Sequence, residues 1–241
     1  MIVVAHRGNS SVAPENTLAA VEAAIRSGAT GIEIDVQLTA DRVPVVIHDD
    51  VLDRTTDGSG PVAATRSDVI CGLDAGSWFG QQFAGERVPM LEDVLDRLSR
   101  ADGVHLLLEV KGAWAVEDVG LVTEAIEKRA LADRVVAQSF SAATVAALGT
   151  VAPRLRRGLL VTEAHDRVLE LCRELGATAC NPRGDVLRAR PELVGQAHAA
   201  GITVTPWTLN EPEQWAAATG LGVDGIITDR PDQLLAWQSS G

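Results

Sequence analysis

Short apolar runs alternate along the chain with longer stretches in which apolar side chains recur every three or four residues. The first pattern predicts strands buried on both faces, and the second predicts amphipathic helices. Strands are expected at 2–5, 31–37, 104–110, 134–138, 156–161, 177–180, 202–206 and 224–227. Helices are expected at 16–28, 91–101, 115–130, 141–149, 165–175, 190–200, 211–219 and 231–238. Ser141, Asn210 with Pro212, and Asp229 with Pro231 read as helix starts; Gly28, Gly149, Gly176, Gly201 and Gly220 read as left-handed helix exits. Strict alternation implies parallel strands joined by right-handed crossovers. Eight such units point to an α/β fold closed into a (β/α)8 barrel, a single domain over residues 1–241, rather than to an open doubly wound sheet.

One segment breaks the rhythm. Residues 38–90 separate the second strand from its helix, far more than an ordinary β/α connection needs. Gln37-Leu38 and Val43-Pro44-Val45-Val46-Ile47 flank the polar turn Thr39-Ala40-Asp41-Arg42, which predicts a hairpin extending the second strand. If Leu38 faces Val43, Glu33 lies opposite His48, and a slip of one residue would turn His48 to the other face. The remainder, an insertion at about 50–90, carries Leu73, Trp78, Phe79, Phe83 and Met90. It is expected to bury a small core of its own over the barrel mouth.

Composition narrows the possible partners. With 21 basic against 33 acidic residues the net charge is −12, which disfavours nucleic acid and anionic membranes as partners, and no basic patch offsets it. Cys71, Cys172 and Cys180 are odd in number and lack metal-ligand or redox spacing, so they read as free thiols. No apolar run approaches the roughly 18 residues of a spanning helix, and Ile2-Val3-Val4-Ala5 reads as a core strand rather than a leader. The cytoplasm is the expected compartment and a small molecule the expected partner.

The candidate chemistry collects at the ends of predicted strands. His6-Arg7-Gly8 closes the first, Glu33-Ile34-Asp35 lies on the second, His48-Asp49 ends the hairpin, and Glu109-Val110-Lys111 ends the third. Period two places Glu33 and Asp35 on one face and Glu109 and Lys111 on another, at the C-terminal end where such barrels build their sites. Three carboxylates ionised together need a cation, since like charges about 4 Å apart cost roughly 4 kcal/mol at an effective dielectric near 20. Their all-oxygen donors suit Mg²⁺ or Ca²⁺ better than zinc. His6 and His48 could serve as acid and base on either side of a reacting centre, with Arg7 and Lys111 neutralising phosphoryl oxygens. His105, His165 and His198, at a strand start or on helices, fall outside this set.

With these residues in hand, the chain resembles the glycerophosphodiester phosphodiesterase family almost end to end. The likeness rests on His6-Arg7-Gly8 with Pro14-Glu15-Asn16-Thr17, on Glu33-Ile34-Asp35-Val36, and on Pro44-Val45-Val46-Ile47-His48-Asp49. Leu52-Asp53-Arg54-Thr55-Thr56, Leu73-Asp74-Ala75-Gly76-Ser77-Trp78-Phe79, Glu109-Val110-Lys111, Ser139-Phe140, Trp207-Thr208-Leu209-Asn210 and Gly225-Ile226-Ile227-Thr228-Asp229-Arg230-Pro231 continue it. Met90 and Val69-Ile70-Cys71 depart from the family's pattern within the insertion. The resemblance implies a TIM barrel in which Glu33, Asp35 and Glu109 hold one divalent cation and His6 and His48 are the acid/base pair. It further implies that Arg7 and Lys111 bind phosphate and that Trp207 lines the pocket for the glycerol or its substituent. The expected reaction is hydrolysis of glycerophosphodiesters to sn-glycerol 3-phosphate and an alcohol. A lysophospholipid-cleaving relative and a non-catalytic barrel are the weaker alternatives, the first for want of an apolar mouth, the second because every chemical residue is present.

Overall fold

The apolar runs form the staves of a parallel barrel in the computed structural model, which describes residues 1–163 and 165–240. The strands are β1 (Ile2–His6), β2 (Gly31–Leu38), β3 (Pro44–Val46), β4 (His105–Val110), β5 (Val135–Ser139), β6 (Arg156–Val161), β7 (Ala179–Pro182), β8 (Thr203–Val204) and β9 (Gly225–Thr228). All but β3 pair in parallel, in the order β8-β7-β6-β5-β4-β2-β1-β9. Three bonds close the remaining seam: Asp224 N donates to Val204 O at 2.9 Å, Ile227 N to Pro206 O at 3.0 Å and Leu209 N to Ile227 O at 3.0 Å. β8 is shorter than its apolar run because Thr205 N donates to the Asn181 side chain and Pro206 has no N–H to offer.

The helices are α1 (Leu18–Ser27), α2 (Ser67–Ile70), α3 (Leu91–Ser99), α4 (Val116–Glu127), α5 (Ala142–Val151), α6 (Val168–Glu174), α7 (Gly184–Ala189), α8 (Glu192–Ala199), α9 (Pro212–Gly220) and α10 (Pro231–Ser239). α2 and α7 were not expected; they are short turns of helix inside the insertion and between β7 and α8. Ser141 does cap α5, its side chain accepting from Thr144 N. Gly149 and Gly220, expected as exits, lie inside α5 and α9 instead. A Cβ on Gly149 would come within 3.4 Å of the Arg157 guanidinium, so that glycine clears room for a neighbour.

Alternation along the strands divides the molecule into layers. Ile32, Ile34, Val36, Leu106, Leu108 and Val110 pack outward against the helices, fully buried at 0–1% exposure. Each such side chain contributes about 1.5–3 kcal/mol of burial. The intervening positions face the barrel axis, where Val4, Leu107 and Ile227 fill the lower interior and the acidic residues of β2 and β4 come above them.

The hairpin forms, with a different register. Leu38 pairs with Pro44 and Val36 with Val46, one residue away from the expected pairing, so Glu33 does not face His48 across a ladder. β3 ends at Val46, and Ile47 N makes one more bond, to Asp35 O. Beyond it the chain bends, and Gln37 Nε2 lies within hydrogen-bond reach of the carbonyls of Ile47, His48 and Asp49, at 3.2, 2.9 and 2.7 Å. That buried amide, rather than strand register, turns His48 toward the site.

The insertion has its own core, built from Val45, Ile47, Leu52, Val62, Ile70, Ala75 and Val88 with Leu73 against it. The aromatic residues expected there lie elsewhere. Trp78 and Met90 are exposed, and Phe83 packs on Ala13, Ala20 and Ala23 beside α1.

Candidate active site

β1 ends in a backbone conformation that few side chains adopt. Arg7 has φ +57° and Gly8 φ +81°, and a Cβ on Gly8 would approach the Ala20 backbone to 2.5 Å. Glycine is therefore required there, and the strained turn at Arg7 is of the kind found where side chains are held for function. It lets Arg7 N donate to Glu33 Oε2 at 3.1 Å while its guanidinium reaches Glu15 at 2.7 Å and Asp35 at 3.3 Å.

The segment Pro14–Thr17 supports the same cluster. Thr17 caps α1, accepting from Ala20 N. Asn16, also left-handed at φ +58°, donates to Asp35 Oδ2 at 2.8 Å and accepts from Asp35 N at 3.2 Å. One turn thus fixes the carboxylate and the backbone of its neighbour.

Glu33, Asp35 and Glu109 are 3%, 1% and 7% exposed, and each offers an oxygen such that the three lie within 4.8 Å of one another. Among the described residues no other group of carboxylates, histidines or cysteines meets that description. Lys111 Nζ sits 3.1 Å from Glu109 and 3.6 Å from Asp35. Burial, then the charges of Asp35 and Glu109, raises the Glu33 pKa well above its ordinary value. Burial and Asp35 push Glu109 up to about 7. Asp35 goes the other way: burial would raise it, but Arg7, His48, Lys111 and Asn16 hold it below the usual carboxylate range. Glu109 Oε1 is buried without an aligned hydrogen-bond donor. Three buried carboxylates converging with oxygen donors alone fit a hard divalent cation.

Each histidine is held by an aspartate. His6 Nδ1 lies 2.6 Å from Asp229 Oδ1, and its Nε2 lies 4.0 Å from Glu33. Asp229 is fixed in turn by Asn210 Nδ2 at 2.6 Å and Ser10 Oγ at 3.2 Å. Asn210 and Asp229, read from sequence as helix starts, serve this function instead; Glu211 and Arg230 occupy the cap positions. His48 Nδ1 lies 2.6 Å from Asp49 Oδ1. Burial lowers the His48 pKa, the pull of Asp35 and Asp49 opposing it and the repulsion of Arg7 and Lys111 adding to it.

These side chains open on a cavity of about 160 Å³ lined by His6, Arg7, Glu33, His48, Glu109 and Gln138 on one side and Phe140, Leu160, Trp207 and Ile227 on the other. Every residue expected at the site is brought to it. Asp35 and Lys111 stand just behind the lining, touching it through Arg7 and Glu109. Gln138 was missed; its signal was a polar residue at the end of an apolar strand, directly before Ser139-Phe140. Trp207 stacks edge-on against Phe140 at 5.4 Å, and its indole N–H donates to Asn181 O. A larger groove of about 830 Å³ lies outside the barrel between α7 and α9, sharing only Trp207 with the site.

A parallel (β/α)8 barrel whose mouth holds buried carboxylates, two histidine–aspartate pairs and two cations defines a class of phosphodiester-cleaving barrels. Residues 6–233 match the family model for the glycerophosphoryl diester phosphodiesterase family. The chain is 37% identical over 238 residues to a glycerophosphodiester phosphodiesterase of Caldanaerobacter subterraneus subsp. tengcongensis, covering 97% of this chain and 96% of that one. It also superposes on a phosphodiesterase of Oleispira antarctica solved with the product sn-glycerol 3-phosphate, with a TM-score of 0.94, 30% identity and coverage of 99% and 97%. A glycerophosphodiester phosphodiesterase of Agrobacterium tumefaciens matches with a TM-score of 0.86, 32% identity and coverage of 98% and 99%. The chain belongs to the glycerophosphoryl diester phosphodiesterase family and is an enzyme of that kind, a phosphoric diester hydrolase.

Proposed function

We propose that the protein hydrolyses glycerophosphodiesters to sn-glycerol 3-phosphate and an alcohol, with one divalent cation, Mg²⁺ or Ca²⁺, held by Glu33, Asp35 and Glu109. The observation that carries this reading is the convergence of those three buried carboxylates beside two oriented imidazoles. When bound, the cation would orient the glycerol hydroxyls, ease their deprotonation and spread transition-state charge.

The protein's own groups supply the rest. Arg7 and Lys111 bind the phosphodiester oxygens, and Trp207 with Phe140 borders the space for the glycerol or the departing alcohol. A neighbouring glycerol hydroxyl attacks phosphorus in preference to water, because an intramolecular nucleophile carries a high effective molarity, worth several kcal/mol or more. His48, with its pKa lowered mainly by burial, is in the neutral form near pH 7 and accepts the proton of the glycerol 2-hydroxyl. His6, facing Glu33 and backed by Asp229, gives its proton to the alcohol as the P–O bond breaks. The cyclic phosphate is then opened by water: His6 takes the water proton and His48 returns one to the glycerol 2-oxygen, releasing glycerol 3-phosphate.

The test is a panel of glycerophosphodiesters assayed for glycerol 3-phosphate release with each divalent ion in turn. Release from glycerophosphocholine that stops in chelator and returns with Mg²⁺ or Ca²⁺ is expected. Full activity in chelator contradicts the cation, and choline release from lysophosphatidylcholine at a comparable rate moves the substrate to lysophospholipids.

A further inference from the structure

We infer that Arg54, carried by the insertion, is a positioning residue that ties the base His48 to the phosphate-binding Arg7. The inference rests on the roles proposed above for those two residues. Arg54 Nε donates to Asp49 Oδ2 at 2.6 Å and Nη2 to Asp49 Oδ1 at 2.9 Å. The same guanidinium meets Glu15 with Nη1 at 2.8 Å and Nη2 at 2.8 Å. Asp49 holds His48 at 2.6 Å and Glu15 holds Arg7 at 2.7 Å, so an unbroken chain of contacts runs His48–Asp49–Arg54–Glu15–Arg7. Arg7 extends it to Asp35 at 3.3 Å.

The geometry demands a guanidinium. Its rigid fork presents two edges at once, each matching a carboxylate, whereas an ammonium is a single point donor that cannot span both. Without the fork, Asp49 and Glu15 lose the cation they share, and each is held only from one side, Asp49 by His48 and Glu15 by Arg7. Asp229, behind the other histidine, is held by the neutral Asn210 and Ser10. The two imidazoles therefore differ in that only His48 is positioned from the insertion.

The experiment compares Arg54→Met and Arg54→Lys with wild type, using glycerophosphocholine turnover, titration of Ca²⁺ or Mg²⁺ binding, and thermal melts. Both variants are expected to lose about 10- to 100-fold in kcat, the range seen when a partner that orients a functional ligand is removed. Metal affinity should change less than about threefold, since no metal ligand is lost, while KM is expected to rise by less than kcat falls, because Arg7 keeps its contact with Asp35. Arg66, an exposed arginine of the same insertion paired with Asp41 and Asp68, gives the control: Arg66→Met should keep the wild-type rate. In an Asp49→Asn/Glu15→Gln background, adding Arg54→Met should change kcat less than about twofold, because residues acting as one unit are not additive. Wild-type turnover in Arg54→Lys, or a full further loss in that background, overturns the inference. If Arg54→Met does not fold, Arg54→Lys alone and in that same background carries the test. An active His48→Ala would instead overturn the parent reading, while an inactive His48→Ala beside fully active Arg54 variants overturns only the role of Arg54.

Discussion

At the scale of single residues, the proposed function separates groups that would do chemistry from groups that would aim them. His6→Ala and His48→Ala are each expected to lower kcat by about 10²- to 10⁴-fold, the usual contribution of a positioned proton carrier, with melting temperatures little changed. Near-normal turnover in either folded variant would remove that histidine from the mechanism. The carboxylates give a second expectation. Without a cation, Glu33 sits well above its ordinary value of 4.5, from burial first, and Glu109 is pushed up from 4.5 to about 7. The metal-free native state then keeps protons that the unfolded chain releases, so its stability falls as pH rises between those values. Cation binding must displace the same protons. The rise in melting temperature on adding Ca²⁺ or Mg²⁺ should accordingly be larger at pH 8 than at pH 5; an equal rise at both would sink the ligand assignment. The residues that the fold gathers at the barrel mouth were legible because period two and strand ends announce them. The roles of Asp229 and Asn210 were not, because they act through contacts that only the closed barrel creates, His6 and Asp229 being 223 residues apart; those of Glu15 and Asn16 were not, because they depend on the side-chain geometry of a turn that no strand or helix period marks.

At the scale of elements, a hairpin that looked like a register problem is solved by an amide. The pattern of Val43–Ile47 identified the strand, but Pro44 sits opposite Leu38 and the ladder stops at Val46, so pairing alone cannot deliver His48. Gln37, at 8% exposure on β2, collects the carbonyls of the outgoing bend. Replacing Gln37 with Leu leaves those carbonyls without their donor and should cost about 1–3 kcal/mol in urea unfolding. It should also reduce kcat at least as far as any loss of fold explains, because His48 is released from its bend; unchanged kinetics in a destabilised variant would place the role of Gln37 in folding alone. The same limit explains the misread helix starts. Asn210 and Asp229 have the composition of caps, and sequence offers no way to know that Glu211 with Gln214 caps α9 while they turn toward His6.

At the scale of the whole molecule, alternating strands and helices were enough to predict the barrel, since eight strict β/α units are the count of a closed barrel rather than of an open doubly wound sheet. The insertion was legible as an extra core but not in its membership, because Trp78 and Met90 face solvent while smaller residues such as Ala75 and Val88 fill the interior. Leu52, 1% exposed in that core, also accepts from Thr56 on the turn that carries Arg54. Leu52→Ala should destabilise the protein by about 2–5 kcal/mol. Loss of activity and loss of near-ultraviolet dichroism are expected to coincide on heating; separate transitions would show that the insertion melts independently of the barrel.

The bond between His6 and Asp229 joins the first stave to the residue following the last. During synthesis the first imidazole is therefore made long before the carboxylate that holds it, and if His6 is the proton donor proposed above, a nascent polypeptide lacking the last stave has none aligned. On the reading proposed here, hydrolysis must wait until Asp229 has joined His6.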